Sequence, residues 1–231
     1  TFIIEDFARN NYESFVEINF EQYPALKSAF EGELTVPEMI KGISIYIPNA
    51  RFVPHKTLIF LDEIQSCPQA RASLKFWAID DNYDVIASGS LLGVNYNAVS
   101  SFPVGYERQV DMFSLDFEEY LWAVGFSRDT IDSLKEHFVK QEKIEEPIHR
   151  KMMSYLREYM VVGGMPAVVN QFIATKNYGI VHQEQEKIIS AYLNDIAKYA
   201  ETADRPKARS CFLSIPKQLA KENTKFQYSV V

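Results

Sequence analysis

Residues 56–69 read KTLIFLDEIQSCPQ, and this stretch decides the fold. The run Leu58-Ile59-Phe60-Leu61 is apolar without alternation and too short for an ordinary helix. It predicts a strand buried on both faces, as in a parallel sheet covered by helices. The run stops on two adjacent carboxylates, Asp62 and Glu63. Open parallel sheets bind ligands at the carboxyl ends of their strands, so these two acids are the first candidates for a site.

Downstream, Pro68 is suited to open a helix, with Ala70, Leu74, Trp77 and Ala78 along one face. YDVIASGS follows, where Val85-Ile86-Ala87 forms a second short apolar run that breaks into Ser88, Gly89 and Ser90. Strand, helix and strand with short links predict an α/β parallel sheet, with a right-handed crossover placing both strands side by side. The stretch from Ser90 to Pro103 has the composition of a loop. Upstream, TFIIEDFARNNY carries Ile3, Ile4, Phe7 and Ala8 at helical spacing and ends at Asn10-Asn11. A helix under way at the first residue is the pattern expected of a cut chain. SFVEINF alternates Val16, Ile18 and Phe20 with Phe15, Glu17 and Asn19 in the manner of a strand. Between Glu21 and His55, Pro24, Pro37, Pro48 and Pro54 divide the chain into short helical or loop pieces.

From Asp116 onward the pattern is helical. DFEEYLWAVG has Asp116 three residues before Glu119, a capping-box start, and a stop at Gly125. Ile131, Leu134 and Phe138 mark a second helix. Pro147 opens a third, carrying Ile148, Met152, Tyr155, Leu156 and Tyr159 to Gly163-Gly164, a helix stop or a hinge. Ile188, Tyr192, Ile196 and Tyr199 line a long helix between Ile180 and Ala200, and Pro206 and Pro216 break two further short ones. KFQYSVV at the end has the alternation of a strand.

The composition excludes several classes. A 231-residue chain with 47% hydrophobic and 24% charged residues is ordinary for a soluble globular protein and argues against disorder. Its net charge of −7 supplies no global field toward nucleic acid, although a local patch stays open. Cys67 and Cys211, far apart, form no disulfide framework, which favours a reducing, cytoplasmic setting. No apolar segment approaches the roughly 20 residues of a membrane span, and no leader pattern opens the chain.

Two readings of the acidic pair stand side by side. In nucleotide hydrolases a buried strand ends in an aspartate that holds Mg²⁺, and the next glutamate activates the attacking water. In the plainer reading both acids cap the helix near Pro68 or sit in solvent. Ser88 and Ser90 at the end of the second strand could contact a phosphate or the water, although serine after a strand is commonplace. A phosphate-cradling loop, G-x-x-x-x-G-K-[ST], is not begun by any of the nine glycines. Thr1, leading straight into an apolar helix, would be the last residue of such a motif. Arg108 reads as a surface arginine or as a finger acting in trans. His55 and Cys67 lack the paired spacing of a zinc site. The aromatic residues of the helical half read as core rather than as a base-stacking platform.

TFIIEDFARNNY (1–12), TLIFLDEIQ (57–65), ASGSLLG (87–93) and LDFEEYLWAVG (115–125) resemble bacterial and archaeal AAA-type ATPases that carry a C-terminal domain of unknown function. YMVVGGMPAVVNQF (159–172) and YLNDIAKYAE (192–201) resemble the helical region after their ATPase core. The resemblance implies a P-loop ATPase core over 1–125, a helical lid-like domain over 126–223 and the start of a winged-helix-like region over 224–231. It also implies ATP and Mg as cofactors. Thr1 would close the phosphate loop and ligate Mg, Asp62 would be the Walker B aspartate, Glu63 the catalytic glutamate and Ser90 the sensor on the neighbouring strand. The implied activity is ATP hydrolysis by a cytoplasmic parent protein that drives a conformational change in an appended domain or partner, with self-association open and this stretch alone inactive. The alternatives are an interaction module that keeps the fold without turnover, and the ATPase component of a DNA-processing system.

Overall fold

In the computed structural model, which describes residues 1–89, 105–200 and 203–220, the stretch Thr57–Asp62 is a strand buried at every position. The chain divides into two compact units, Thr1–Val110 and Asp111–Val231. In the first unit the order is α1 (Phe2–Asn11), β1 (Ser14–Asn19), a 3-10 turn (Pro24–Phe30), α2 (Val36–Tyr46), β2 (Thr57–Asp62), α3 (Pro68–Asp80) and β3 (Asp84–Ala87). Among the described residues the strands form one parallel sheet in the order β1-β2-β3. The acidic strand is thus the central one.

Strand alternation sends Ile59 and Leu61 to one face and Leu58, Phe60 and Asp62 to the other. Ile59 and Leu61 join Val16, Ile18, Phe20, Phe30, Met39, Ile43 and Trp77 in the main core. On the opposite face Phe60 stacks with Phe15 at 6.3 Å. Each fully buried side chain of this size contributes roughly 1.5–3 kcal/mol, so Leu58 to Leu61 alone hold the middle of the sheet firmly. α1 belongs to the Phe60 face. The Thr1 hydroxyl at its start reaches Asp62 and the Tyr12 hydroxyl just past its end donates to Asp84 at 2.7 Å, so the helix runs antiparallel to the strands.

Several expectations need correction. α1 buries Ala8, but Ile3 and Phe7 of its apolar face stay exposed, Ile3 at 65%. In α3, Ser73 rather than Ala78 joins Ala70 and Trp77 inside, because positions 70, 73 and 77 share a face. The Ser73 hydroxyl donates to the Ala70 carbonyl at 2.7 Å and so tolerates burial. Despite its apolar residues, β3 is only partly buried at Val85 and Ile86. Ser90, the loop to Pro103 and residues 224–231 lie outside the described residues.

The second unit is helical: α4 (Phe117–Ala123), α5 (Arg128–Lys140), α6 (Glu146–Val162), α7 (Pro166–Thr175), α8 (Tyr178–Tyr199) and α9 (Arg205–Leu219). The capping box forms as its spacing predicts, with Glu119 N donating to Asp116 Oδ1 and Asp116 N to Glu119 Oε2. Tyr120 is buried with Val162, Val168, Val169, Phe172 and Val181, which ties α4 to this unit. The compact units part at Val110, and Phe117–Ala123 lies in the second of them. Pro216 does not break the chain into two helices but lies inside α9. Without an N–H it forgoes the donation to the carbonyl four residues back, while its own carbonyl accepts from Ala220 N at 3.1 Å. Gly163 ends α6 at φ 75°. Gly164 lies so close to the Leu115 backbone that a Cβ would come within 2.0 Å of its carbonyl oxygen.

Candidate functional site

The sheet register builds the site. Asn19 pairs with Asp62 across β1 and β2, and Leu61 pairs with Ala87 across β2 and β3. One step further, Ser88 stands level with Asp62. Three neighbours therefore donate to this one carboxylate. Asn19 Nδ2 bonds Oδ2 at 2.9 Å, Thr1 Oγ1 approaches the same oxygen at 3.4 Å, and Ser88 Oγ bonds Oδ1. Asp62 is 5% exposed, and a carboxylate that deep needs such donors.

Glu63 leaves the strand. Its backbone is left-handed, at φ 54° and ψ 44°, a conformation that few non-glycine residues adopt. The side chain is half-buried and accepts from Gln65 Nε2 at 2.5 Å. Gln65 belongs to a one-turn 3-10 element, Ile64–Ser66, anchored by the Ile64 N donation to the Ser88 carbonyl at 3.0 Å.

Thr1 is the N-cap of α1, yet its hydroxyl makes no cap bond to the first turn. It points to Asp62 instead. The start of a helix presents unpaired backbone amides and the positive end of its dipole, a setting that favours an anion. The same face also crowds negative charge. Burial, followed by the nearby Glu5 and Asp62 carboxylates, pushes the Glu17 carboxyl above its ordinary value.

Of the residues singled out in the sequence, the fold brings Thr1, Asp62 and Glu63 to one end of β2. Ser88 joins them, and Ser90 lies outside the described residues. Asn19 and Gln65 were missed. Asn19 ends a strand like Asp62, but only the β1-β2 register puts the two side by side. Arg108 is exposed, just beyond a segment held on α3 by the Arg71–Glu107 ion pair at 3.1 Å and by Lys75 over the Tyr106 ring. Cys67 is a buried free thiol whose pKa is pushed up by that burial, as suits a structural residue. A cavity of about 340 Å³ between the Pro24–Phe30 turn and α2, lined by Ser28, Glu31, Glu38, Lys41 and Ile45, includes none of these site residues.

Among the described residues no cluster of three or more His, Cys, Asp or Glu side chains could hold a metal. Magnesium, by contrast, is commonly held by one or two carboxylates with the remaining ligands from water and phosphate. Asp62 and the Thr1 hydroxyl are hard oxygen donors at the mouth of the sheet and suit that ion. The glycines and lysine of a phosphate loop are not present in residues 1–231.

A parallel sheet whose central strand delivers a buried aspartate to the start of a helix belongs to the α/β class that binds ligands at strand carboxyl ends. A family model described as AAA domain matches residues 1–121, just over half of the chain, and the chain belongs to this family. A second model, a domain of unknown function (DUF8612), matches residues 153–231. No curated protein and no solved structure matches the chain. Among the described residues no helix is long and apolar enough to cross a membrane.

Proposed function

We propose that Thr1, Asp62 and Glu63 line one end of an ATP site, and that ATP hydrolysis there drives a conformational change in the helical region or in a partner. The observation that carries this reading is Asp62, buried at the end of the central strand and bonded by Ser88, Asn19 and Thr1. Asp62 and Thr1 supply oxygen ligands to Mg²⁺, which when bound offsets the charge of the phosphates. Glu63 accepts a proton from the attacking water or orients it. Ser88, level with Asp62 at the end of β3, is a second candidate for the neighbouring-strand role beside Ser90.

A second reading is an interaction module that keeps the AAA fold without turnover. Steady-state ATP turnover by the full-length protein as encoded separates the two. Magnesium-dependent hydrolysis that disappears in Glu63→Gln supports the enzyme. Full-length protein that binds no nucleotide and releases no phosphate supports the module.

A further inference from the structure

We infer that Gln65 is a positioning residue that holds the Glu63 carboxylate in a single orientation; this rests on the role proposed above for Glu63. The two side chains are joined by the Gln65 Nε2 donation to Glu63 Oε2. Among the described residues no other side chain donates to the Glu63 carboxylate. The backbone cooperates. Left-handed Glu63 turns the chain back so that residue 65 lies beside residue 63, and the Ile64 N bond to the Ser88 carbonyl pins that turn to the end of β3.

The far side of the Gln65 amide shows what this arrangement sacrifices. Gln65 Oε1 is buried without a hydrogen-bond partner among the described residues. A Cβ at Gly89 would lie 2.4 Å from that oxygen, so the glycine makes room for it. Turning the amide over would set its oxygen against the carboxylate and lose the bond, so an ionised Glu63 selects the orientation seen. An orphaned buried carbonyl is unfavourable, and leucine would fill the same space without one. A glutamine kept only for stability would be a poor choice at this position. A glutamine kept to aim Glu63 is a good one.

The test compares wild type, Gln65→Leu, Gly89→Ala and the double variant in the full-length protein, with Mg-ATP turnover and thermal unfolding read on each. Gly89→Ala displaces the end of the Gln65 side chain while leaving the glutamine in place. The expected result is a kcat lowered about tenfold or more in each single variant, a part of the roughly 10²–10⁴-fold that a positioned base supplies. The KM for ATP should stay within about twofold, the Tm of Gln65→Leu should not fall, and the double variant should be no slower than the slower single one. Two singles with wild-type kcat overturn the inference, and so does a Gln65→Leu protein whose Tm falls in step with its activity. Wild type without turnover, or Glu63→Gln with full turnover, removes the role proposed for Glu63 instead. The pairing is then decided by Tm: Glu63→Ala should shift it in wild type and not in Gln65→Leu, and equal shifts overturn the pairing.

Discussion

Ser88 Oγ donates to Asp62 Oδ1 from the adjacent strand, one residue beyond the paired positions Leu61 and Ala87. The bond satisfies a buried carboxylate that also faces Asn19 and Thr1. Ser88→Ala removes a donor to that carboxylate and should destabilise the first unit by about 1–3 kcal/mol, read as a lower urea midpoint of Trp77 fluorescence in a Trp122→Phe background. An unchanged midpoint would show that Asp62 is satisfied without it.

Glu63→Gln in the full-length protein should bind Mg-ATP almost as wild type does while turnover falls at least about 100-fold, because the amide keeps the size but loses the basicity. Asp62→Ala should weaken magnesium-dependent binding as well. Phosphate release and equilibrium binding, measured on the same preparations, separate the two roles. Normal turnover in Glu63→Gln would rule out its part as base.

Residues 1–231 alone carry neither the phosphate-loop glycines nor the lysine, and Asp62 and Glu63 present negative charge to an anionic ligand. This polypeptide should therefore fold but bind Mg-ATP weakly, with a Kd of roughly 1 mM or above. Calorimetric titration checks it. Micromolar affinity that depends on Asp62 would show that the loop is dispensable.

Tyr12 ties the end of α1 to β3 through Asp84, and its pKa is pushed up to about 12 by burial first, then by its hydrogen bond to the Asp84 carboxylate and by that charge. Below pH 10 the phenol is protonated whether folded or not, and its contribution is fully present. Between pH 10 and about 12 the unfolded chain loses this proton and the folded chain keeps it, so stability falls as pH rises. Tyr12→Phe should lose this part of the alkaline fall. Urea unfolding by circular dichroism at stepped pH, taken as the difference between wild type and variant, measures it, and parallel curves would contradict it.

In the helical unit, Leu115 N donates to the Gly164 carbonyl at 2.8 Å and the Tyr159 hydroxyl donates to the Leu115 carbonyl at 2.8 Å. A methyl at position 164 collides with that backbone. Gly164→Ala should destabilise this unit by about 1–3 kcal/mol, the usual range for overpacking, whereas Gly105→Ala meets no neighbour and should lose less, its strain being confined to its own φ of 85°. Thermal unfolding of both variants is the comparison. Equal losses would mean that space at Gly164 is not what matters.

What the sequence by itself determined is whatever depends on neighbours along the chain. The unbroken apolar run 58–61 specified a doubly buried strand, the Asp116 and Glu119 spacing specified a capped helix, and Pro68 and Pro147 marked helix starts, since each follows from backbone geometry and local hydrogen bonding. The acids Asp62 and Glu63 were legible for the same reason, as the polar end of that strand. The tertiary structure alone decided which residues meet them. Asn19 and Ser88 reach Asp62 because the sheet pairs residue 19 with 62 and residue 61 with 87, a register that periodicity does not encode. Gln65 reaches Glu63 because residue 63 turns left-handed and Gly89 leaves room for the amide, and neither fact is written in the spacing DEIQ. Likewise, Tyr120 joins the helical core rather than the sheet because its burial is settled by α6, α7 and α8. A strand or helix is set by the residues within it, whereas a site is set by the packing between elements.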